Sequence, residues 1–387
     1  MKKRNTVILV VLVLVAAMAF TACSGGGGAT SSAPSESAAA SENATTSTEP
    51  AASESATQES GKKFKVGYAN KTLNNPYFVA LDAALKEEVE ARGWEYTSLD
   101  AKEDIAQEQK NMETFVSQGF DLIIMNCIDS AAALTSIDAA TKAGVPVINV
   151  DNAPDLSANN ITSVFSDNLN NGRAVGLYVG KEEFAPDEEI KSVLLSGVKG
   201  AVVSQERRTG LICGIIEART GVSEDEAWEL AKKMEQELID NGKAVNEEAK
   251  FWINGQGWGN WTSDEGLPAM EDLIVANKDM NLVLGENDNM LLGAMTAIEN
   301  AGLSDKIKIA AAADGQKEAI KLIMDGTNYI ATGENSPFKI ATLTVEIAND
   351  VLVNGKTADD YEAATLTEPN AIIKSNAAEF YNADSPF

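Results

Sequence analysis

One pattern constrains the chain more than any other. From Lys63 onward, short apolar runs of strand length alternate with longer segments of helical period, repeating every 25–30 residues or about that. Lys63–Ala69 reads as a strand. Pro76–Arg92 reads as a helix, with Phe78, Leu81, Leu85 and Val89 on one face and Gly93 as its stop. Strands follow at Trp94–Leu99, Asp121–Asn126 and Val147–Asp151, separated by helices at Asp104–Gln118 and Ser130–Ala143. The pattern then restarts. Strands are expected at Ile161–Phe165, Ser192–Gly197, Leu282–Gly285, Ile307–Ala312 and Ile330–Gly333. Helices are expected at Asn168–Glu183, Thr262–Asn277, Asn289–Ala301, Gln316–Asp325 and Pro337–Val353. Strand–helix–strand repetition implies parallel sheets covered on both faces. The expected fold is therefore α/β, with two Rossmann-like lobes, each built on its own sheet.

In parallel sheets, ligands bind beyond the carboxyl ends of the strands. That rule selects 70–78, 126–130, 151–152, 196–208, 286–289, 314–315 and 334–335, and these stretches are rich in Asn, Asp, Gln and Arg. Tyr77 and Phe78 accompany the first, and Trp258 and Trp261 precede a helix of the second unit. Amides, carboxylates and an arginine suit a neutral polyol, because each hydroxyl both donates and accepts. Aromatic faces pack on the C–H face of a sugar ring. Placed in both units, such residues imply a ligand held between two lobes that close around it. Each residue also has a structural reading: Asn289 as a helix cap, Asp314-Gly315 as a turn, Tyr77 and Phe78 as core. Their joint placement at strand ends favours a site.

Composition removes several classes of function. Acids outnumber bases 58 to 31, for a net charge of −27 over 387 residues, so no basic footprint for nucleic acid exists. Histidine is absent, which eliminates His-based catalytic triads and His-ligated metals. No calcium-loop motif and no cofactor fingerprint occurs, so neither metal nor cofactor is expected. Of three cysteines, Cys127 and Cys213 read as buried free thiols, with a disulfide between them as the alternative.

The N-terminus reads as an address. Lys2, Lys3 and Arg4 precede an apolar run from Val7 to Phe20, too short to span a bilayer. Thr21, Ala22 and Cys23 then resemble a bacterial lipobox, with Phe20 in place of its usual Leu. Residues 1–22 are expected to be a signal peptide, and Cys23 a lipidated N-terminus. An ordinary signal peptide or an uncleaved anchor is the alternative. Residues 24–61 are mostly Ser, Ala, Thr, Gly and Glu, a composition that cannot bury a core. The expected arrangement is a globular body on a tether (23–62), outside the cell and anchored to its membrane.

At the strand ends the chain resembles the periplasmic sugar-binding proteins of ABC transporters, in particular the ribose- and galactose-binding group. The segments that carry the likeness are TLNNPYF (72–78), NCIDSAA (126–132), PVINVD (146–151), SDN (166–168), ENDNMLLGA (286–294) and ADG (313–315). The resemblance implies ligand contacts at Asn75, Tyr77, Phe78, Asn126, Asp151, Arg207, Trp261, Asn287, Asp314 and Asn335. It implies one at Asn152 too, where ribose binders carry Arg. Tyr77 and Trp261 also stand where ribose binders have Phe; with Asn335 these departures lean toward a hexose or similar ring. The resemblance further implies three crossings between lobes, near Phe165–Asp167, Asn335–Pro337 and Ala364–Thr367. The N-terminal lobe would comprise 63–165 and 336–365, and the C-terminal lobe 166–335 and 366–387. Thr220–Phe251 is longer than the family's usual connection and includes an acidic, helical stretch at Ser223–Asn241, read as a solvated surface helix or as a partner contact.

The expected function is a monomeric, membrane-anchored, extracytoplasmic solute-binding lipoprotein. It would capture a pentose or hexose by lobe closure and deliver it to an ABC permease, without chemistry. The alternatives are a sugar sensor feeding a chemoreceptor or histidine kinase, and a glycosidase working with two carboxylates such as Asp151 and Asp314.

Overall fold

The computed structural model describes residues 63–155 and 157–387. The expected signal peptide (1–22), the expected lipidation site Cys23 and the expected tether through residue 62 lie outside the described residues.

The first lobe runs β1 (Lys65–Asn70), α1 (Pro76–Ala91), β2 (Glu95–Asp100), α2 (Ile105–Ser117), β3 (Leu122–Met125), α3 (Ala133–Lys142), β4 (Val147–Val150) and β5 (Ser163–Ser166). The second begins with α4 (Asn168–Tyr178), which ends in a π-helical turn at Val179–Glu183, and β6 (Ile190–Ser196). It continues through α5 (Val202–Thr220), α6 (Glu224–Asn241), β7 (Ala244–Asn246), β8 (Phe251–Trp258) and α7 (Ser263–Ala276). Then come β9 (Leu282–Gly285), α8 (Asp288–Asn300), β10 (Lys308–Asp314), α9 (Lys317–Asp325) and β11 (Tyr329–Glu334). The chain returns to the first lobe with α10 (Pro337–Leu352) and β12 (Ala364–Thr367), and ends with β13 (Ala371–Ile373) and α11 (Ala377–Phe380).

The first sheet has the order β12-β5-β4-β3-β1-β2, with every pairing parallel. The second has the order β13-β11-β10-β9-β6-β8-β7, parallel except for the edge strands β13 and β7. Central strands such as LIIM of β3 and LVLG of β9 are buried along their whole length, as strands covered by helices on both faces must be. In each sheet the strand order reverses next to the first strand, β1 or β6. The crevice that binds ligands in such sheets opens at that reversal.

Three expectations need correction. Residues 202–220 and 251–258, to which the periodicity assigns no element, form the long helix α5 and the strand β8. The third crossing falls at 368–370, because residues 364–367 pair with β5 in the first sheet. The lobe boundary at 365/366 therefore cuts through β12. Finally, the 366–387 segment does not stay with the second lobe: Phe387 packs in the core of the first, beside Tyr77 and Leu81. Cys127 and Cys213 are buried free thiols, with no disulfide between them.

The acidic stretch of the long connection forms α6. Ser223 caps its N-terminus, Glu224, Asp225 and Glu226 fill its first turn, and Gly242 ends it in a left-handed conformation at φ 68°. Ala227, Ala231, Met234 and Leu238 bury one face in the second lobe's core. The helix is thus part of the lobe, with one solvated side.

Candidate ligand-binding site

A cavity of about 220 Å³ opens between the carboxyl ends of the two sheets. Ten of the eleven expected contacts line it: Asn75, Tyr77, Phe78, Asp151, Asn152, Arg207, Trp261, Asn287, Asp314 and Asn335. Asn126 does not. It lies fully buried beneath the wall, where its Oδ1 accepts from the Asn152 backbone N–H at 3.4 Å.

A polar chain crosses the cavity's inner end. The Tyr77 hydroxyl donates to Asn335 Oδ1 at 3.1 Å, and Asn335 Nδ2 donates to Asp314 Oδ1 at 3.2 Å. Arg207 Nη1 then pairs with the same Asp314 oxygen at 2.9 Å. The arginine is held from two other sides, by Asn168 Oδ1 on Nε at 3.0 Å and by the Glu286 carbonyl on Nη1 at 3.1 Å. Arg207 Nη2 and Asp314 Oδ2 carry no hydrogen bond among the described residues. They are the donor and acceptor left to meet a ligand.

The backbone that presents these groups is specialised. Asn75 is the N-cap of α1, its Oδ1 accepting from the Tyr77 N–H at 2.9 Å, with Pro76 at the first helical position. Asn287 caps α8 by accepting from the Met290 N–H, and its Nδ2 donates to the Trp261 carbonyl at 3.3 Å. The strand-end residues are therefore helix caps and cavity wall at once. Asp151 (φ 61°), Asn260 (φ 44°) and Trp261 (φ 66°) adopt the left-handed region that non-glycine residues avoid. Such conformations persist only where the surroundings enforce them, and they cluster at functional sites.

The aromatic walls come from both lobes. Tyr77 and Phe78 stand edge to face, with ring centroids 5.5 Å apart. Across the cavity the Arg207 guanidinium lies 5.6 Å from the Trp261 ring centre. That ring rests on Gly197, where a Cβ would come within 2.3 Å of it.

Burial pushes the Asp151 carboxyl up from its ordinary value, while the charges of Lys71 and Arg207 pull it back. Asp288 sits behind the cavity and is pushed up to about 6, first by burial and then by Asp314. Its Oδ2 collects the backbone N–H groups of Asp314, Gly315 and Gln316, at 3.2, 2.8 and 2.7 Å, and so fixes the Asp314 loop. Under the first lobe's wall, burial raises Glu108 to about 7, although one of its oxygens accepts from the Ile128 N–H at 2.8 Å.

Behind Arg207 lies a second, buried charge cluster. Arg208 donates through Nε and Nη2 to Glu235 of α6, at 3.0 and 2.7 Å, and through Nη1 to Glu286 at 3.2 Å. Glu286 also accepts from the Gly197 N–H at 2.7 Å. The long connection thus reaches within one residue of the cavity arginine.

Asn152 is the expected contact whose role changes most. Its Nδ2 donates to the Cys127 carbonyl at 3.3 Å, so one of its two amide hydrogens braces the loop while the residue lines the cavity. Sequence reasoning missed Lys71, Glu103, Phe165, Ser166, Asn168, Val203, Asn260, Thr262 and Asn289 as named contacts, and all of them line the cavity. Lys71 and Asn289 fall inside the polar strand-end stretches, and Ser166 and Asn168 inside the SDN segment. Val203 falls inside the 196–208 stretch and Phe165 in the first crossing, but neither is polar, so neither stood out as a contact. Lys71 places its amine 5.2 Å from the Phe78 ring centre. Two carboxyl groups, Asp151 and Asp314, thus share the cavity lining with two basic side chains, Arg207 and Lys71.

Residues 66–357 match the family model described as a periplasmic binding protein domain. The ribose import binding protein of Bacillus subtilis is 28% identical over 305 residues, covering 79% of this chain and 87% of that protein. The D-ribose/D-allose-binding protein of Pseudomonas aeruginosa is 24% identical over 324 residues, covering 81% and 90%. Among solved structures, an ABC transporter solute-binding protein from Mycobacterium smegmatis with bound glycerol superimposes with a TM-score of 0.68 at 26% identity, covering 84% of this chain and 98% of that one.

Proposed function

The chain belongs to the periplasmic binding protein family, and from that premise we propose that it is the extracytoplasmic solute-binding protein of an ABC transporter, capturing a neutral monosaccharide between its lobes. One observation carries the reading. The cavity presents an arginine–aspartate pair with Nη2 and Oδ2 unused, flanked by a second carboxylate and by aromatic rings from both lobes. A sugar hydroxyl can donate to Asp314 Oδ2 while its neighbour accepts from Arg207 Nη2, with ring faces against Tyr77, Phe78 and Trp261. Relatives named for ribose, allose and galactofuranose support a pentose or hexose in either ring form. Binding from both lobes favours the closed form, and closure is the signal read by the permease.

The protein does no chemistry on its ligand. This reading is supported by relatives named as binding proteins, and by Asp314 being paired through Oδ1 with Arg207 and Asn335 so that its Oδ2 is positioned to accept from a hydroxyl. Cys23 carries the lipid that holds the mature, monomeric protein at the membrane; this reading rests on the basic, apolar and Cys-containing start of the chain.

The test is the melting temperature of the purified protein against pentoses, hexoses, polyols and nucleosides. A ligand at a hundredfold above its dissociation constant stabilises by about 2.7 kcal/mol. One or two sugars should raise the melting temperature clearly, and Asp314→Ala should abolish the rise. A folded, ligand-free preparation that responds to no sugar would refute the reading.

A further inference from the structure

The chain crosses between the lobes a fourth time. After β13 joins the second sheet and α11 packs on that lobe's core through Ala377 and Phe380, residues 381–387 turn back toward the first lobe. The turn is pinned to the second lobe where Lys317 Nζ, on α9, donates to the Ser385 carbonyl. Two residues later Phe387 enters the first lobe's core, only 7% exposed. Its ring meets that of Tyr77 edge to face, with centroids 5.4 Å apart and planes at 86°. Tyr77 is the cavity aromatic whose hydroxyl donates to Asn335.

We propose that Phe387 is a positioning residue for the ligand site: it holds the Tyr77 ring from behind, and the 381–387 strap ties that support to the second lobe. Tyr77 has Phe78 on one edge and Phe387 on another, so two perpendicular rings define its orientation. The hydroxyl–Asn335 bond fixes its far end, and Asn335 in turn orients Asp314. Without Phe387 the ring can tilt into the space left behind it. The cavity then loses an aromatic wall and the chain of hydrogen bonds that ends at Arg207. Because the strap is anchored on α9, the support is set by how the lobes sit together, and it belongs to the ligand-binding geometry as well as to the core.

The affinity arm of the test rests on the sugar-binding reading; the spectroscopic arm does not. The protein is labelled with 3-fluorotyrosine, and the Tyr77 resonance among its seven tyrosines is identified by its loss in Tyr77→Phe. Phe387→Ala should shift and broaden that resonance in the ligand-free protein, and Phe387→Leu, which refills the space, should move it back toward the wild-type position. Lys317→Met, which frees Ser385 without touching the core, should shift it in the same direction by a smaller amount. For whichever of D-ribose, D-allose, D-galactose or myo-inositol binds the wild type, Phe387→Ala should weaken binding tenfold or more, with Phe387→Leu within about threefold of wild type. A residue that only stabilises the fold would lower the melting temperature but leave the sugar affinity in place, and would leave the Tyr77 resonance in place in Lys317→Met, where both rings remain. An unmoved Tyr77 resonance in folded Phe387→Ala overturns the proposal, as does unchanged sugar affinity. If none of the four sugars binds the wild type, the sugar reading fails and the resonance alone decides the role of Phe387.

Discussion

Gly197 and Trp261 show how little room a single residue of this site leaves. The indole lies where the glycine's Cβ would be, at 2.3 Å, so any Cβ there must push the ring aside. Gly197→Ala should therefore displace Trp261 and weaken sugar binding by tenfold or more, with only a small change in melting temperature, since Trp261 is only partly buried at the cavity wall. Titration of the variant against wild type, with tryptophan fluorescence reporting the ring, checks this. At the same scale the sequence was informative about side chains that meet the cavity and mute about those that bend away from it. Asp151 and Asp314 are legible as charged groups at strand ends, whereas Arg207, inside α5, is legible through the resemblance. Asn126 and Asn152 carry the same signal, yet one is buried below the wall and the other spends one of its two amide hydrogens on Cys127. An asparagine's partner is decided by loop geometry that no spacing rule encodes.

Elements with regular period were legible, and those whose packing depends on a neighbour were not. β8 reads FWINGQGW, with two glycines and two amides, because its glycines let α7 approach: a Cβ on Gly257 would lie 3.1 Å from Leu273. Helix α5 hides its period because almost every residue from Arg207 to Ile216 is buried. Gly210 and Gly214 press its backbone onto α4, where added Cβ atoms would meet the carbonyls of Leu169 and Arg173 at 2.2 and 2.1 Å. That contact sets Arg207 against Asn168. The acidic α6 was legible as a helix, but its inward carboxylate was not. Glu235 takes two of the hydrogen bonds of buried Arg208, which also binds Glu286. Glu235→Leu should cost roughly 3 kcal/mol in urea unfolding, because it strands buried charged donors. Glu235→Gln, which keeps an acceptor, should cost distinctly less. Equal losses in the two variants would show that volume, and not the charge cluster, is what α6 contributes.

For the whole molecule, the two-sheet architecture followed from the alternation of strands and helices, while the joints between lobes depend on contacts far apart in sequence. Ser166, Asn335 and Thr367 stand at the ends of β5, β11 and β12, next to three of the crossings, and bond to one another: Ser166 Oγ donates to Asn335 Oδ1 at 2.7 Å, and Thr367 Oγ1 to Ser166 Oγ at 3.2 Å. Asn335 also lines the cavity, so ligand and hinge share a residue. Global stability should carry the signature of the buried Glu108. Its carboxyl is raised from 4.5 to about 7, chiefly by burial, so the folded state holds a proton that the unfolded state releases. Its contribution is fully present below pH 4.5 and is lost as pH rises through about 7. Glu108→Gln should accordingly be more stable than wild type at pH 8, with the difference shrinking toward pH 5; a difference that does not vary with pH would contradict this. The central claim, a single sugar held between the lobes by Arg207 and Asp314, is tested most directly by calorimetric titration of the best-stabilising sugar. The account predicts one site per chain, a negative heat-capacity change on closure, and loss of measurable binding in Asp314→Ala. Binding that persists unchanged in Asp314→Ala, or a stoichiometry other than one, would contradict it.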